Sequence, residues 1–134
     1  MVEMTGIYVG EKHCDINHGP SGAKISTDAP KDNQGRGQAF SPTDLVGAAL
    51  GSCILTTMAI VAERDGHSVK GAQFTVQKEM NANPRFISKL SLTIEMPSGI
   101  PVDYRDKLSH IAHACPVSRS LGPQVEVVVQ WIWK

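Results

Sequence analysis

Two cysteines stand out because their surroundings could make a thiol reactive. Cys115 directly precedes Pro116, and a residue before proline disfavours helical dihedrals, so one predicted helix ends there and another begins. A thiol at that boundary can cap the helix predicted from Val117 to Leu121, where the helix dipole favours the thiolate. Cys53 instead lies about three turns inside a long predicted helix, where the dipole gives little help. For both cysteines the alternative is a buried thiol that only packs as a small hydrophobe.

A second interpretation makes a thiol a metal ligand. His110 and His113 share one face of a predicted helix, and Cys115 follows just beyond, as in some zinc sites. The chain has no CxxC, HExxH, GxSxG or P-loop motif, and a fourth ligand would have to come from a distant residue such as Cys14. We favour solvent-facing histidines over a zinc site, expect no bound metal or cofactor, and assign no role to Cys14.

The element that positions Cys53 is a helix predicted from Ser41 to Gly66. Ser41 is a favourable N-cap, Pro42 suits the first helical position, and Asp44 completes a capping box. Glycine after a charged run suits the C-terminal end. Apolar residues cover nearly the whole circumference of this helix, so we expect protein to cover most of its sides.

The uncharged part of this helix, Leu45 to Ala62, is just long enough to cross a bilayer. It lacks aromatic anchors, it is rich in small residues, and no signal peptide is recognisable, so we expect a buried helix of a cytoplasmic protein. The small residues from Gly47 to Ser52 would let another backbone approach closely. Because one chain of this size can hardly cover such a helix, we expect a homodimer whose helices meet at this patch.

The composition of the chain further limits the partners and the cell compartment that we expect. The chain has 134 residues, and its 13 basic and 13 acidic side chains cancel, so no nucleic acid or membrane partner is indicated. Three cysteines without a signal peptide indicate a reducing compartment. The order of elements predicts one α+β domain over residues 1–134 with antiparallel sheets. Its parts are an N-terminal β-hairpin region over 1–40 (strands 5–17 and 23–27), the helix over 41–66 and a ββααβ region over 67–134.

Three stretches of the chain resemble the OsmC/Ohr family: SPTDLVGAALGSC (Ser41 to Cys53), NPRFISKLSLTIEMP (Asn83 to Pro97) and HACPVSRSL (His113 to Leu121). The resemblance implies the OsmC-like fold, with antiparallel sheets around a long central helix in an intertwined homodimer. It also implies a thiol peroxidase of oxidative stress defence that reduces organic hydroperoxides with an external dithiol. By that resemblance Cys53 would attack the peroxide, and Cys115 would resolve the product as a disulfide.

The chain departs from the family pattern at the helix start. Well-characterised members carry a glutamate directly after the proline, which holds an N-terminal arginine against the reactive cysteine. Here Thr43 takes that place, the first acid is Asp44, and no arginine precedes Arg36. Arg36 and Asp44 are therefore the residues expected to support Cys53. Two function classes stay open: a cysteine-based hydroperoxide reductase, and a non-enzymatic OsmC-like protein that binds a small ligand or senses oxidants.

Overall fold

The computed structural model describes all residues from 1 to 134 and divides the chain into two compact units, Met1–Val46 and Gly47–Lys134. Each unit contains one three-stranded sheet. The α+β class is confirmed, whereas the single domain over residues 1–134 stays a prediction.

The first unit is an antiparallel meander rather than a two-stranded hairpin. Its strands are β1 (Met4–Gly10), β2 (His13–His18) and β3 (Lys24–Asp28). The single strand predicted over 5–17 is wrong because a tight turn reverses the chain after β1. Glu11 and Lys12 adopt φ values of 56° and 58° there. Such left-handed turns are usually marked by Gly or Asn, so a Glu-Lys pair carries no turn signal.

A buried carboxylate holds the loop that follows β3. Asp28 is 1% exposed; its Oδ1 lies 2.6 Å from His13 Nδ1, and its Oδ2 accepts the Gln38 backbone N–H at 2.9 Å. The other ring nitrogen of His13 lies 3.1 Å from Asp15 Oδ1. The hydrogen bond to Asp28 is the main reason that the pKa of His13 is raised, and the same bond lowers the pKa of Asp28. An imidazolium between two carboxylates therefore ties β2 to this loop.

The long helix, α1 (Pro42–Arg64), begins with the predicted capping box. The Ser41 backbone N–H donates to Asp44 Oδ2 at 2.9 Å, and the Asp44 backbone N–H donates to Ser41 Oγ at 3.0 Å. These two bonds satisfy backbone donors that the first turn of a helix otherwise leaves without partners.

The sheet of the second unit is mixed. The elements after α1 are β4 (Gln73–Ala82), β5 (Arg85–Met96), α2 (Arg105–Ala112), α3 (Pro116–Ser120) and β6 (Glu126–Trp133). The central strand, β5, pairs antiparallel with β4 and parallel with β6. The prediction of antiparallel sheets is therefore wrong for β6. The connection that carries α2 and α3 is long enough to return the chain to the end of the sheet at which β5 began.

Buried and partly buried residues alternate along most of β5. Its buried residues include Leu90, Leu92, Ile94 and Met96. The pairing with β4 skips Ser88, an extra residue that forms a β-bulge. Ile87 rather than Phe86 therefore joins the buried face.

One face of α1 is buried within the chain, and the opposite face is not. The buried residues of α1 are Gly47, Leu50, Gly51, Ile54, Met58 and Ala62. The exposed stripe of α1 consists of Ala49, Ser52, Thr56, Ile60 and Glu63. By length and composition α1 could cross a membrane, and 33% of its most apolar window is buried. One chain therefore does not cover most sides of this helix, as the sequence predicts for the monomer.

Two glycines on the buried face let α1 approach the sheet. A Cβ atom at Gly51 would overlap the Phe74 ring of β4, whereas a Cβ atom at Gly47 would lie 3.4 Å from Leu90 Cδ2, an ordinary contact. Part of the small-residue patch that was expected to receive a second helix thus receives the chain's own strands.

We predict that Gly51→Ala destabilises the protein and that Gly47→Ala does not. Overpacking against the Phe74 ring costs about 1–3 kcal/mol, whereas alanine is about 1 kcal/mol more favourable than glycine in a helix where there is room. Urea unfolding of both variants measures the free energies of unfolding. Equal values for the two variants would contradict this account of the packing.

The contact between His13 and Asp28 predicts that the stability of the folded protein depends on pH. Because the pKa of His13 is raised, its contribution is fully present below the unfolded value of about 6.5 and is lost as the pH rises through the folded pKa. We expect His13→Gln to lower the melting temperature most at roughly pH 5.5 and least at high pH. His18→Gln is the control, because that ring contacts the Ser21 hydroxyl rather than a carboxylate. A His13→Gln effect of equal size at every pH would rule out the imidazolium.

Candidate functional site

Cys115 caps α3, as the sequence predicts. Its backbone is extended, with φ −71° and ψ 153°, and Pro116 is the first residue of the helix. The Ser118 backbone N–H donates to Cys115 Sγ at 3.4 Å. The side chain is fully buried, so this sulfur is a structural part of the helix start.

The environment of Cys115 favours the protonated thiol. Burial raises the pKa of Cys115, the Ser118 N–H partly opposes this effect, and the neighbouring Cys53 thiol raises the pKa further. The cap position favours the thiolate through the Ser118 N–H, as the sequence predicts, but loss of solvent outweighs this effect. The influence of Cys53 also means that the two predicted cysteines are neighbours within the second unit. All three cysteines of the chain are free thiols.

Cys53 lies on α1 two residues after Gly51 and is only partly buried. Its Sγ lies 3.9 Å from the Thr57 hydroxyl, one turn further along the helix. A solute can therefore reach Cys53 in this chain, whereas Cys115 is shielded. The dithiol has one accessible sulfur and one buried sulfur.

A cluster of polar side chains connects the end of α1 with α2, the helix that leads to Cys115. Asp65 Oδ2 accepts the Lys107 ammonium at 2.6 Å and the Tyr104 hydroxyl at 2.7 Å. The Tyr104 ring packs on His67 at a centroid distance of 4.2 Å. These bonds, that of Lys107 above all, lower the pKa of Asp65, while burial and the Asp65 bond raise the pKa of Tyr104 to about 12. Sequence reasoning missed this cluster, because its members lie some 40 positions apart and form no motif.

The two residues predicted to support Cys53 have partners in the first unit. Arg36 is an exposed loop residue that helps to lower the pKa of Asp28. Asp44 belongs to the capping box. Their role beside Cys53 stays a prediction.

The possible zinc ligands do not converge. No three His, Cys, Asp or Glu side chains in residues 1–134 form a group that could hold a metal ion. His110 and His113 are exposed, whereas Cys115 is buried, and His110 Nδ1 lies 2.7 Å from the Asp106 carbonyl oxygen on its own helix. Within one chain these residues therefore do not form a group that could hold a zinc ion.

The chain is similar to known proteins in both sequence and fold. A family model described as OsmC-like protein matches residues 35–130. No curated protein sequence matches this chain. A solved structure from Psychrobacter arcticus 273-4, provisionally named an osmotic stress induced and detoxification response protein, is 34% identical. It superposes with a TM-score of 0.93 over 98% of this chain and 96% of that chain.

Two hydroperoxide resistance proteins share the fold at lower identity. The organic hydroperoxide resistance protein OsmC of Legionella pneumophila is 20% identical, with a TM-score of 0.77 over 98% of this chain and 96% of that one. A provisionally named organic hydroperoxide resistance protein of Vibrio cholerae O1, with captopril bound in one of its active sites, is 18% identical, with a TM-score of 0.77 over 98% and 90%. The family model covers most of this chain, and the relative at 34% identity covers nearly all of it. The resemblance seen in the sequence is thus confirmed, and the chain belongs to the OsmC family.

Proposed function

We propose that this protein is a peroxiredoxin-type thiol peroxidase of the cytoplasm that reduces organic hydroperoxides with Cys53 and Cys115. Membership of the OsmC family suggests a role in stress and peroxide response. The observation that carries the proposal is the pairing of an accessible thiol with a buried thiol that it directly influences.

The different environments of the two sulfurs support different roles. Burial and the neighbouring thiol raise the pKa of Cys115, so the protonated form of Cys115 is favoured. The thiolate, not the thiol, is the nucleophile, and Cys53 is also the sulfur that a solute can reach. Cys53 is therefore proposed as the attacking residue and Cys115 as the resolving residue.

The proposed cycle balances with a hydroperoxide and an external dithiol. The Cys53 thiolate attacks one peroxide oxygen, the O–O bond breaks, and a sulfenic acid forms while the alkoxide takes a proton to become an alcohol. Cys115 then attacks the Cys53 sulfur; a disulfide forms, and the sulfenic oxygen leaves as water with the Cys115 proton. The dithiol reduces this bond by exchange and is itself oxidised to a disulfide. No bound cofactor is required.

Consumption of an organic hydroperoxide with dithiothreitol as the reductant tests the proposal. We expect turnover of cumene hydroperoxide that exceeds turnover of hydrogen peroxide, and we expect Cys53→Ser to abolish it. Cys14→Ser is the matched control, because Cys14 is a free, partly buried thiol on β2 of the first unit. A wild-type protein without turnover would overturn the enzyme proposal in favour of an OsmC-like protein that binds a ligand or senses oxidants.

A second measurement tests the pair itself. Stoichiometric hydroperoxide should make the protein about two mass units lighter and yield a peptide that links Cys53 to Cys115, since each thiol loses one hydrogen. Cys115→Ser should instead stop at a sulfenic acid on Cys53 that dimedone traps. Cys14 should stay reduced in both proteins, and a disulfide that includes Cys14 would contradict the assignment.

We also propose that two copies form a homodimer. The exposed stripe of α1 combines small side chains with Ile60, which is 63% exposed. One face of the first sheet carries Met4, Tyr8 and Ile25 at register positions that share that face, and each is more than half exposed. Large uncovered apolar surfaces of this kind mark interaction sites, and a second copy offers a matching surface.

Light scattering at micromolar concentration tests the dimer. We expect the mass of two chains for the wild type and a shift toward one chain for Ile60→Lys, because a charge would be buried at the interface. Val102→Lys is the control, since Val102 is an exposed apolar residue outside both surfaces. A well-folded wild-type monomer would exclude this assembly.

A further inference from the structure

Thr57 directs its hydroxyl toward the sulfur of Cys53. Residues four positions apart lie on the same side of a helix, and Thr57 Oγ1 is 3.9 Å from Cys53 Sγ. Cys53 is the only hydrogen-bond partner of this hydroxyl in the structure. Thr57 is partly buried on a helix that is otherwise largely apolar, so the position of its hydroxyl is confined.

Other helical hydroxyls in this chain behave differently. Ser109 Oγ donates to the Arg105 carbonyl oxygen at 2.9 Å, and Ser120 Oγ donates to the Pro116 carbonyl oxygen at 2.8 Å. This bond to the residue four positions earlier is the usual one for a serine or threonine inside a helix. At Thr57 the residue four positions earlier is Cys53, and the hydroxyl contacts the side chain of that residue instead.

A thiolate at Cys53 needs such a donor. Cys53 lies about three turns from the start of α1, where the helix dipole contributes little. The backbone N–H groups around it bond to carbonyl oxygens of the helix, so they do not donate to the sulfur. The other group beside the sulfur is the Cys115 thiol, a weak donor. A hydroxyl donor to an ionised acceptor forms a shorter and stronger bond than a neutral pair does, so ionisation of Cys53 would draw Thr57 closer.

We propose that the Thr57 hydroxyl donates a hydrogen bond to the Cys53 thiolate and thereby stabilises the attacking form of this sulfur. The inference rests on the proposed function, because it assumes that Cys53 acts as a thiolate. The proton stays on the Thr57 oxygen throughout, so the peroxidatic step keeps its balance.

The test is the pH profile of Cys53 alkylation by iodoacetamide, with the modified peptide quantified by mass spectrometry. Thr57→Val removes the hydroxyl and keeps the shape of the side chain. We expect alkylation about tenfold slower at pH 7, a midpoint about one pH unit higher, and an unchanged rate at the alkaline plateau, where the thiol is fully ionised. Thr57→Ser should restore the wild-type profile.

Thr75→Val is the matched control, because it makes the same change at an exposed residue of β4, in the same unit and outside the surfaces proposed for the dimer. It should leave the profile at wild type. If Thr57→Val does not fold, Thr57→Ala compared with Thr57→Ser gives the same contrast with and without a hydroxyl.

Coincident profiles for the wild type and Thr57→Val would overturn the inference. So would a loss of rate that persists at the alkaline plateau, because that result reports altered access to the sulfur. Alkylation requires no peroxide. Failure of the proposed peroxidase activity would show as absent turnover in the wild type, whereas the alkylation profiles of the Thr57 variants would still test the hydrogen bond.

Discussion

The close approach of α1 to β4 is the constraint on which the second unit depends. At Gly51 the Phe74 ring occupies the space that any side chain would need, so only glycine at this position lets the helix lie this close to the sheet. Cys53 follows two residues later, and the Asp65 cluster holds the far end of the same helix to α2. The position of the Cys53 sulfur is therefore set by packing on one side and by polar contacts on the other, with no contribution required from the sulfur itself.

Cys53 and Cys115 have the same side chain but lie in different environments. Cys115 is buried and caps α3, and the cost of removing a charge from water outweighs the favourable position at the start of a helix. Cys53 lies in the middle of a helix, where the backbone offers no free donor, but it is open to solutes. Accessibility thus favours Cys53 as a nucleophile, whereas burial disfavours the thiolate of Cys115.

Local signals in the sequence were sufficient for much of this fold. The capping box of α1, the strand from Arg85 to Met96 and the thiol cap at Cys115 each depend on residues a few positions apart, and each is present. The sequence-based predictions that were wrong have other causes. The turn at Glu11 uses residues that rarely adopt positive φ, and the parallel pairing of β6 depends on where a long connection ends. The net shift in the pKa of Cys115 depends on burial, which is a property of the folded second unit.

The distance between the two cysteines along the chain also affects folding. A bond between Cys53 and Cys115 would close a loop of roughly 60 residues that contains β4, β5 and α2, and loop closure of that length removes chain entropy worth about 4 kcal/mol from the unfolded state. Since Cys115 follows β4, β5 and α2 in the chain, a nascent chain can form this bond only after all three elements have been synthesised. The oxidised protein would then resist unfolding more than the reduced one, and its lifetime would depend on the redox state of its surroundings.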